Sequence, residues 1–230
     1  MLEDIAQAVE ILVIASLVVA QVFDIYCVMV RAQVNRLGAT EILAVANWIQ
    51  YLARILNMVS VFSISILLER KVSSIGVPDL FGYSMIAGLL LMLLMCRYAL
   101  MGKVTQFLQV LGFAYVFGKS GKINYWWRVT WAWKPGVTLF SAVIALLINL
   151  AIIMPFALSS WFPEMRMTLA YTGQLLNFCA SIITFTYVDK VFFRALDKGS
   201  EFECASAIVI GKLLAQALLV SLFCIYFFEW

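Results

Sequence analysis

The stretch "NWIQYLARILNMVS" (47–60) places an arginine, Arg54, in the middle of a segment otherwise apolar enough to cross a membrane. An arginine at the centre of a spanning helix costs about 2.5–3.5 kcal/mol on insertion scales. Residues three and four apart share a helix face, so Asn47, Gln50, Arg54, Asn57 and Ser60 form one polar stripe. The other side, Ile49, Leu52, Leu56, Val59 and Phe62, is expected to face lipid. A mid-span arginine on such a stripe must turn toward protein or a wet cavity. The chemistry it offers there is anion recognition, because the guanidinium fork pairs with two oxygens of a phosphate.

Other apolar segments carry polar groups in the same manner. Glu10, Gln21, Asp24 and Arg31 share one face of the first. Arg166, Ala170, Gly173, Gln174, Asn177, Ser181 and Thr184 share a side of the fifth, mixing hydrogen-bonding groups with small residues that permit close helix approach. Arg97 lies in the third, Asn149 in the fourth, and Lys212 and Gln216 in the sixth. Two readings stay open. The groups pair with one another as interhelical glue, through an Arg54–Asp24 bridge for example, or they line a hydrophilic cavity. Within the spans Arg54, Arg97 and Lys212 outnumber the acidic partners Glu10 and Asp24, which favours a cavity with an anionic guest. The stretch "SSWFPEMRMT" (159–168) reads as a helix start, with a capping serine, Pro163 in the first turn and Glu164 at the positive end of the dipole. Arg166, with Glu164 beside it, is alternatively placed to meet a headgroup at the outer face.

Several chemistries are excluded outright. The chain has no histidine, so Ser-His and Cys-His nucleophile pairs, HExxH zinc sites and histidine proton shuttles are impossible. The five cysteines (Cys27, Cys96, Cys179, Cys204, Cys224) are scattered without a CxxC pair and read as small buried hydrophobes. Asp24 is the one good aspartate within a span, whereas an intramembrane aspartyl protease requires two. The expectation is a protein that is not an enzyme and uses no cofactor or metal.

The 230 residues are 64% apolar and 13% charged, against about 45–50% and 25% in soluble domains. The expected fold is therefore all-α: one integral membrane domain over 1–230 with six spans of about 20 or more residues. They fall at about 5–30, 41–68, 80–101, 136–158, 165–188 and 206–228. "VTQFLQVLGFAYVF" (104–117) is too short to cross and reads as an interfacial element in the third loop. "MLEDIAQAVE" lacks the basic start of a signal peptide. The first, third and fifth loops carry ten Lys and Arg residues and the second and fourth carry three, which places both termini outside the cytoplasm. "YWWRVTWAWK" (125–134) suits an aromatic belt at the inner face.

"FDIYCVMVRAQ" (23–33), "LARILNMVSVFSISILLERKV" (52–72) and above all "WFPEMRMTLAYTGQLLNFCASIITFTYVDK" (161–190) resemble the Amj family, the alternate lipid II flippases of bacteria. "AIVIGKLLAQALL" (207–219) resembles that family's Gly-rich last span. The family's Val-Arg after the first span falls on Val30 and Arg31, and its Ser-Arg-Thr on Ala53, Arg54 and Ile55. Its Pro-Glu-Tyr-Arg falls on Pro163, Glu164, Met165 and Arg166, and its Val-Asp on Val188 and Asp189. The hydroxyls beside Arg54 and the tyrosine are absent, so the chain resembles a divergent member.

The resemblance implies a flippase in the bacterial cytoplasmic membrane that moves lipid II, or a related undecaprenyl-linked lipid, from the inner to the outer leaflet. Arg54, with Arg97 or Lys212, would pair with the pyrophosphate. Gln50, Asn57, Gln174 and Asn177 would satisfy sugar hydroxyls, and Arg31, Asp24, Arg166 and Glu164 complete the expected substrate-binding set. Expected partners are this lipid, bulk membrane lipid and a second copy of the chain if the path needs a homodimer; nucleic acid is not among them. The competing expectations are a non-transporting scaffold whose polar stripes are assembly faces, and a carrier of another polyprenyl phosphate.

Overall fold

The computed structural model describes residues 2–32, 40–70, 76–98 and 133–229. Their regular elements are all helical: α1 (Leu2–Arg31), α2 (Thr40–Arg70), α3 (Val77–Tyr98), α4 (Pro135–Trp161), a 3₁₀ turn (Pro163–Met165), α5 (Arg166–Ile183), a π-helical turn (Thr184–Val188), α6 (Asp189–Asp197) and α7 (Glu201–Glu229). Among the described residues six stretches are long and apolar enough to span a bilayer, from Asp4–Arg31 to Glu201–Tyr226. The protein is an all-α, multi-pass membrane protein. The interfacial element expected at 104–117 and the aromatic run up to residue 132 lie outside the described residues.

The fifth span runs further than its hydropathy suggests. It continues without a break from α5 through the π turn into α6, reaching Asp197 rather than residue 188. Lys190, Arg194 and Asp197 interrupt the apolar run in sequence, but they sit on the exposed side while Phe192, Ala195 and Leu196 are buried. The helix stays stable by becoming amphipathic. Gly199, at φ +67°, then ends it, with its N–H bonded to the Leu196 carbonyl and that of Ser200 to the Ala195 carbonyl. This is a glycine stop in which the left-handed residue costs no Cβ clash.

α1 is the hub. It packs against α2, α3 and α7, and Leu17, Ile25, Tyr26 and Met29 along it are almost wholly enclosed. α7 passes on to α4, and α4 to α5. The helices thus form an open arc, α2–α1–α7–α4–α5, with α3 behind α1 and α7. Among the described residues α2 and α5, its two ends, do not pack against each other to any extent.

Close approach within the arc depends on two glycines. A Cβ at Gly211 of α7 would lie 2.4 Å from the Thr138 carbonyl oxygen of α4, and one at Gly173 of α5 would lie 2.4 Å from the Ala151 carbonyl oxygen. Ala151 is four residues before Pro155, which has no N–H to return to it. Gly173 of α5 thus faces a carbonyl of α4 to which Pro155 cannot return a hydrogen bond.

The apolar side of α2 differs from expectation. Ile49 is buried, and Leu52 and Leu56 pack onto the same core, so they face α1 and not lipid. Ala46, Ile49, Ala53, Leu56, Ser60, Ile64 and Leu67 repeat at spacings of three and four along this seam, a coiled-coil arrangement. Trp48, Tyr51, Ile55, Met58, Val61, Phe62 and Ile66 are the exposed large apolar residues among those described on α2. Lipid tails are as apolar as leucine side chains, so hydropathy does not tell a lipid face from a helix seam.

Gly173→Val and Gly211→Val are each expected to destabilise the bundle by about 1–3 kcal/mol through overpacking. Thermal unfolding of the purified protein in detergent reads this as a lowered midpoint. Leu175→Val, on the exposed side of α5, should leave the midpoint unchanged.

Candidate functional site

Inside the arc lies a cavity of about 920 Å³, lined by residues of α1, α2, α4, α5 and α7, with Met92 of α3 and Asp189 of α6. On α2 the lining runs from Gln50 to Glu69, about 28 Å at 1.5 Å per residue. That is close to the roughly 30 Å thickness of a hydrocarbon core. The α2 lining is thus about as long as a hydrocarbon core is thick.

Eight predicted residues meet in its wall: Asp24, Arg31, Gln50, Arg54, Asn57, Gln174, Asn177 and Lys212. Glu164 does not; it is exposed on the 3₁₀ turn beyond the lining. Its place at a helix start explains it, since a carboxylate there is favoured by the backbone dipole alone. The side chains of Arg97 and Arg166 lie outside what the structure describes. Ser60, expected on the polar stripe, instead meets Ser16 at 2.6 Å inside the α1–α2 seam.

The cavity also gathers Gln21, Ser65, Glu69, Asn149, Ser159, Asp189 and Gln216. Ser65 and Glu69 continue the Arg54 stripe by three further helical turns, a signal legible in the sequence. Asp189 lies off any such stripe and is marked only by the resemblance, because its pairing depends on where the fifth span meets the first.

The charges sort into made and unmade pairs. Arg31 reaches Asp189 at 3.5 Å and donates to the side-chain oxygens of Asn47 and Gln50 at 3.0 Å each. One side chain therefore ties α1 to both α2 and α6. Lys212 of α7 meets Asp24 of α1 at 2.5 Å and approaches its carbonyl at 3.5 Å. One turn along, Gln216 donates to Gln21 at 3.2 Å and to the Met85 carbonyl at 3.0 Å, locking α7 against α1 and α3.

Among the described residues Arg54 has no ion pair and no hydrogen bond, and its guanidinium carbon lies 6.0 Å from the centre of the Tyr51 ring. An Arg54–Asp24 bridge is not made, because Asp24 is taken by Lys212. Cations are not in excess over the whole lining: Arg31, Arg54 and Lys212 are matched by Asp24, Asp189 and Glu69. Two of the three couples are joined, however. The remaining carboxylate, Glu69, is fifteen residues from Arg54, about 22 Å along the helix. The positive charge at Arg54 is therefore locally uncompensated.

Asn57, Gln174 and Asn177 likewise carry side-chain amides without partners among the described residues. The lining near them includes aromatic rings, Phe62 of α2, Phe178 of α5 and Phe185 of the π turn, all more than 60% exposed. Phe185 belongs to the π turn, where the Asp189 N–H bonds to the Thr184 carbonyl five residues back. Such turns re-aim side chains within a continuous helix. Here the irregularity lies between the amides of α5 and the Arg31–Asp189 pair.

Comparison with known proteins gives no match to any family model, curated protein or solved structure.

In a background without the native cysteines, Asn57→Cys and Asn177→Cys are expected to react with a membrane-impermeant maleimide. Ile64→Cys, fully enclosed in the α1–α2 seam, is expected not to react. Equal labelling at all three positions would mean that the cavity is not a distinct wet space.

Proposed function

We propose that the chain is a flippase for a polyprenyl-diphosphate lipid, with lipid II as the substrate to which its sequence resemblance points. The observation that carries this reading is Arg54: an arginine without an ion pair or hydrogen bond among the described residues, half-way along a span, in the wall of a cavity whose α2 lining is about as long as a hydrocarbon core is thick. As interhelical glue, Arg54, Asn57, Gln174 and Asn177 would be bonded to other side chains, and among the described residues they are not. A fixed cation with amides above and below it suits a diphosphate carrying sugars. About 920 Å³ is near the upper end of the roughly 300–1,000 Å³ of small-molecule sites, room for the diphosphate and the adjacent sugar.

The open side of the arc supports the same reading. A lipid crossing the membrane needs a polar route for its head while its tail stays in hydrocarbon. The unpacked space between α2 and α5 allows both, with Phe62, Phe178 and Phe185 at the boundary. The headgroup travels along the α2–α5 polar lining and the polyprenyl chain trails between the two helices. The basic bias of the first, third and fifth loops sets the loading side as the cytoplasm of a bacterium, and both termini outside it. Alternating exposure then requires the arms to change their separation, driven by contacts that differ between the two states.

The test is lipid II translocation in proteoliposomes at matched protein insertion. The unaltered protein is expected to move it. Arg54→Ala should lose about 10- to 100-fold in rate, the equivalent of one charge-assisted hydrogen-bonded contact of about 1.5–3 kcal/mol. Arg54→Lys should recover part of that, keeping the charge and losing the fork. Unchanged transport by Arg54→Ala would remove the site assignment, and inactivity of the folded, unaltered protein would remove the lipid II reading.

A further inference from the structure

Among the described residues the two ends of the cavity are built differently. At one end Arg31 reaches Asp189 at 3.5 Å while donating to Asn47 and Gln50 at 3.0 Å each. Gln50 and Asp189 line the cavity, whereas Asn47 is exposed and lies beyond it, so the guanidinium sits on the boundary. At the other end the polar groups bond to their own helices. Ser65 of α2 donates to the Val61 carbonyl at 3.0 Å, and Ser159 of α4 to the Phe156 carbonyl at 2.8 Å. Glu69 is exposed there. One mouth is tied across and the other is not.

The packing divides along the same line. α1, α2 and α3 form one group, and α4 to α7 a second. Three side-chain contacts between the groups spring from the half of α1 that ends at Arg31: Gln21 with Gln216, Asp24 with Lys212, and Arg31 with Asp189. Toward the opposite end the groups touch through apolar residues. Leu80 and Phe81 of α3 share a cluster with Ile152 of α4, and the Phe81 and Phe156 rings are 6.3 Å apart. Such contacts slide readily in a bilayer, because lipid tails replace them without leaving a polar group unmade.

We infer that the Arg31–Asp189 pair is the inner gate of the path. The structure is the state open toward the Glu69 end, and the cavity opens toward the cytoplasm when this pair parts. This rests on the flippase reading and the loop-charge orientation given above. α1 then runs from a terminus outside to the basic first loop, which sets Arg31 at the cytoplasmic face. Gln216 is the pivot, since its bonds to Gln21 and the Met85 carbonyl hold the two groups together at mid-span. Arg31 lies ten residues from Gln21, a lever of about 15 Å, so a tilt of about 15° widens that mouth by roughly 4 Å. Asn47 and Gln50 belong to the same group as Arg31 and keep its guanidinium in place, so only the contact to Asp189 breaks. The two side chains are 21% and 19% exposed, and water entering the mouth solvates the parted ions.

The test is labelling of Asn57→Cys by a membrane-impermeant maleimide in the full-length, otherwise cysteine-free protein. The reagent is applied to the outer face of right-side-out vesicles and to the cytoplasmic face of inverted ones. With the pair intact, labelling is expected from outside and is slow from the cytoplasmic face. Arg31→Asp or Asp189→Arg alone sets like charges together and should raise the cytoplasmic-face rate about tenfold, the shift that one lost charge contact produces. Combining R31D with D189R restores the attraction and should return the slow rate. A role in stability alone would lower the thermal midpoint without changing the side of labelling. Arg31→Met, uncharged and of similar length, replaces the single reversals if they do not fold, and should act as they do. Fast cytoplasmic-face labelling with the pair intact, or a slow rate that none of these variants changes, would overturn the inference and leave the proposed function standing. Labelling needs no lipid, so a responsive gate in a protein that moves no lipid II would keep the gate and remove only that substrate.

Discussion

One side chain holds the two arms of the structure together. Arg31, at the end of α1, bonds to Asn47 and Gln50 on α2 and to Asp189 on α6. α2 and α5 otherwise share a cavity without packing against each other among the described residues. A guanidinium suits this post because its planar fork serves several acceptors at once and keeps its charge. At the Glu69 end no side-chain hydrogen bond or ion pair among the described residues joins the arms. The depth of the cavity, its lateral opening and the freedom of Arg54 all follow from an arc fastened at one end.

The remaining helices make that arc rigid where it must be. α1 is enclosed by three neighbours, and the glycines at 173 and 211 bring α4 against α5 and α7 at backbone distance. In a bilayer such close contact matters more than apolar area, because burying leucine against leucine gains little over burying it in lipid tails. Polar pairs within the bundle, Ser16 with Ser60 and Gln21 with Gln216, add direction to packing that would otherwise be slippery. Both are direct side-chain contacts between neighbouring helices. The molecule thus separates polar groups that join helices from polar groups left open.

That separation was only partly legible beforehand. Periodicity along 47–60 selected Arg54 and its stripe, and the small and polar face of the fifth span selected Gln174 and Asn177; both faces do line the cavity. Ser60 belongs to the same stripe by spacing, yet it joins the seam, because a stripe of that width spans both the cavity edge and the α1 contact. Ile49 and Leu56 look like lipid-facing residues by hydropathy, but they pack toward α1. Asp24 has two candidate partners by spacing and charge, and the helix order awards it to Lys212 instead of Arg54.

Sequence alone determined what composition and period control: a histidine-free, six-span helical membrane protein whose charged residues inside the spans require protein or water around them. It also selected most of the side chains that line the cavity, because a polar face repeats every three or four residues wherever the helix stands. Tertiary structure decided which of those groups are spent on each other. Pairing depends on which helices become neighbours, and in a membrane every apolar face is equally content with lipid or with another helix. Once α7 lies against α1, Lys212 takes Asp24; once the fifth span extends through its π turn to meet α1, Arg31 takes Asp189. Arg54 is left facing open space for the same geometric reason.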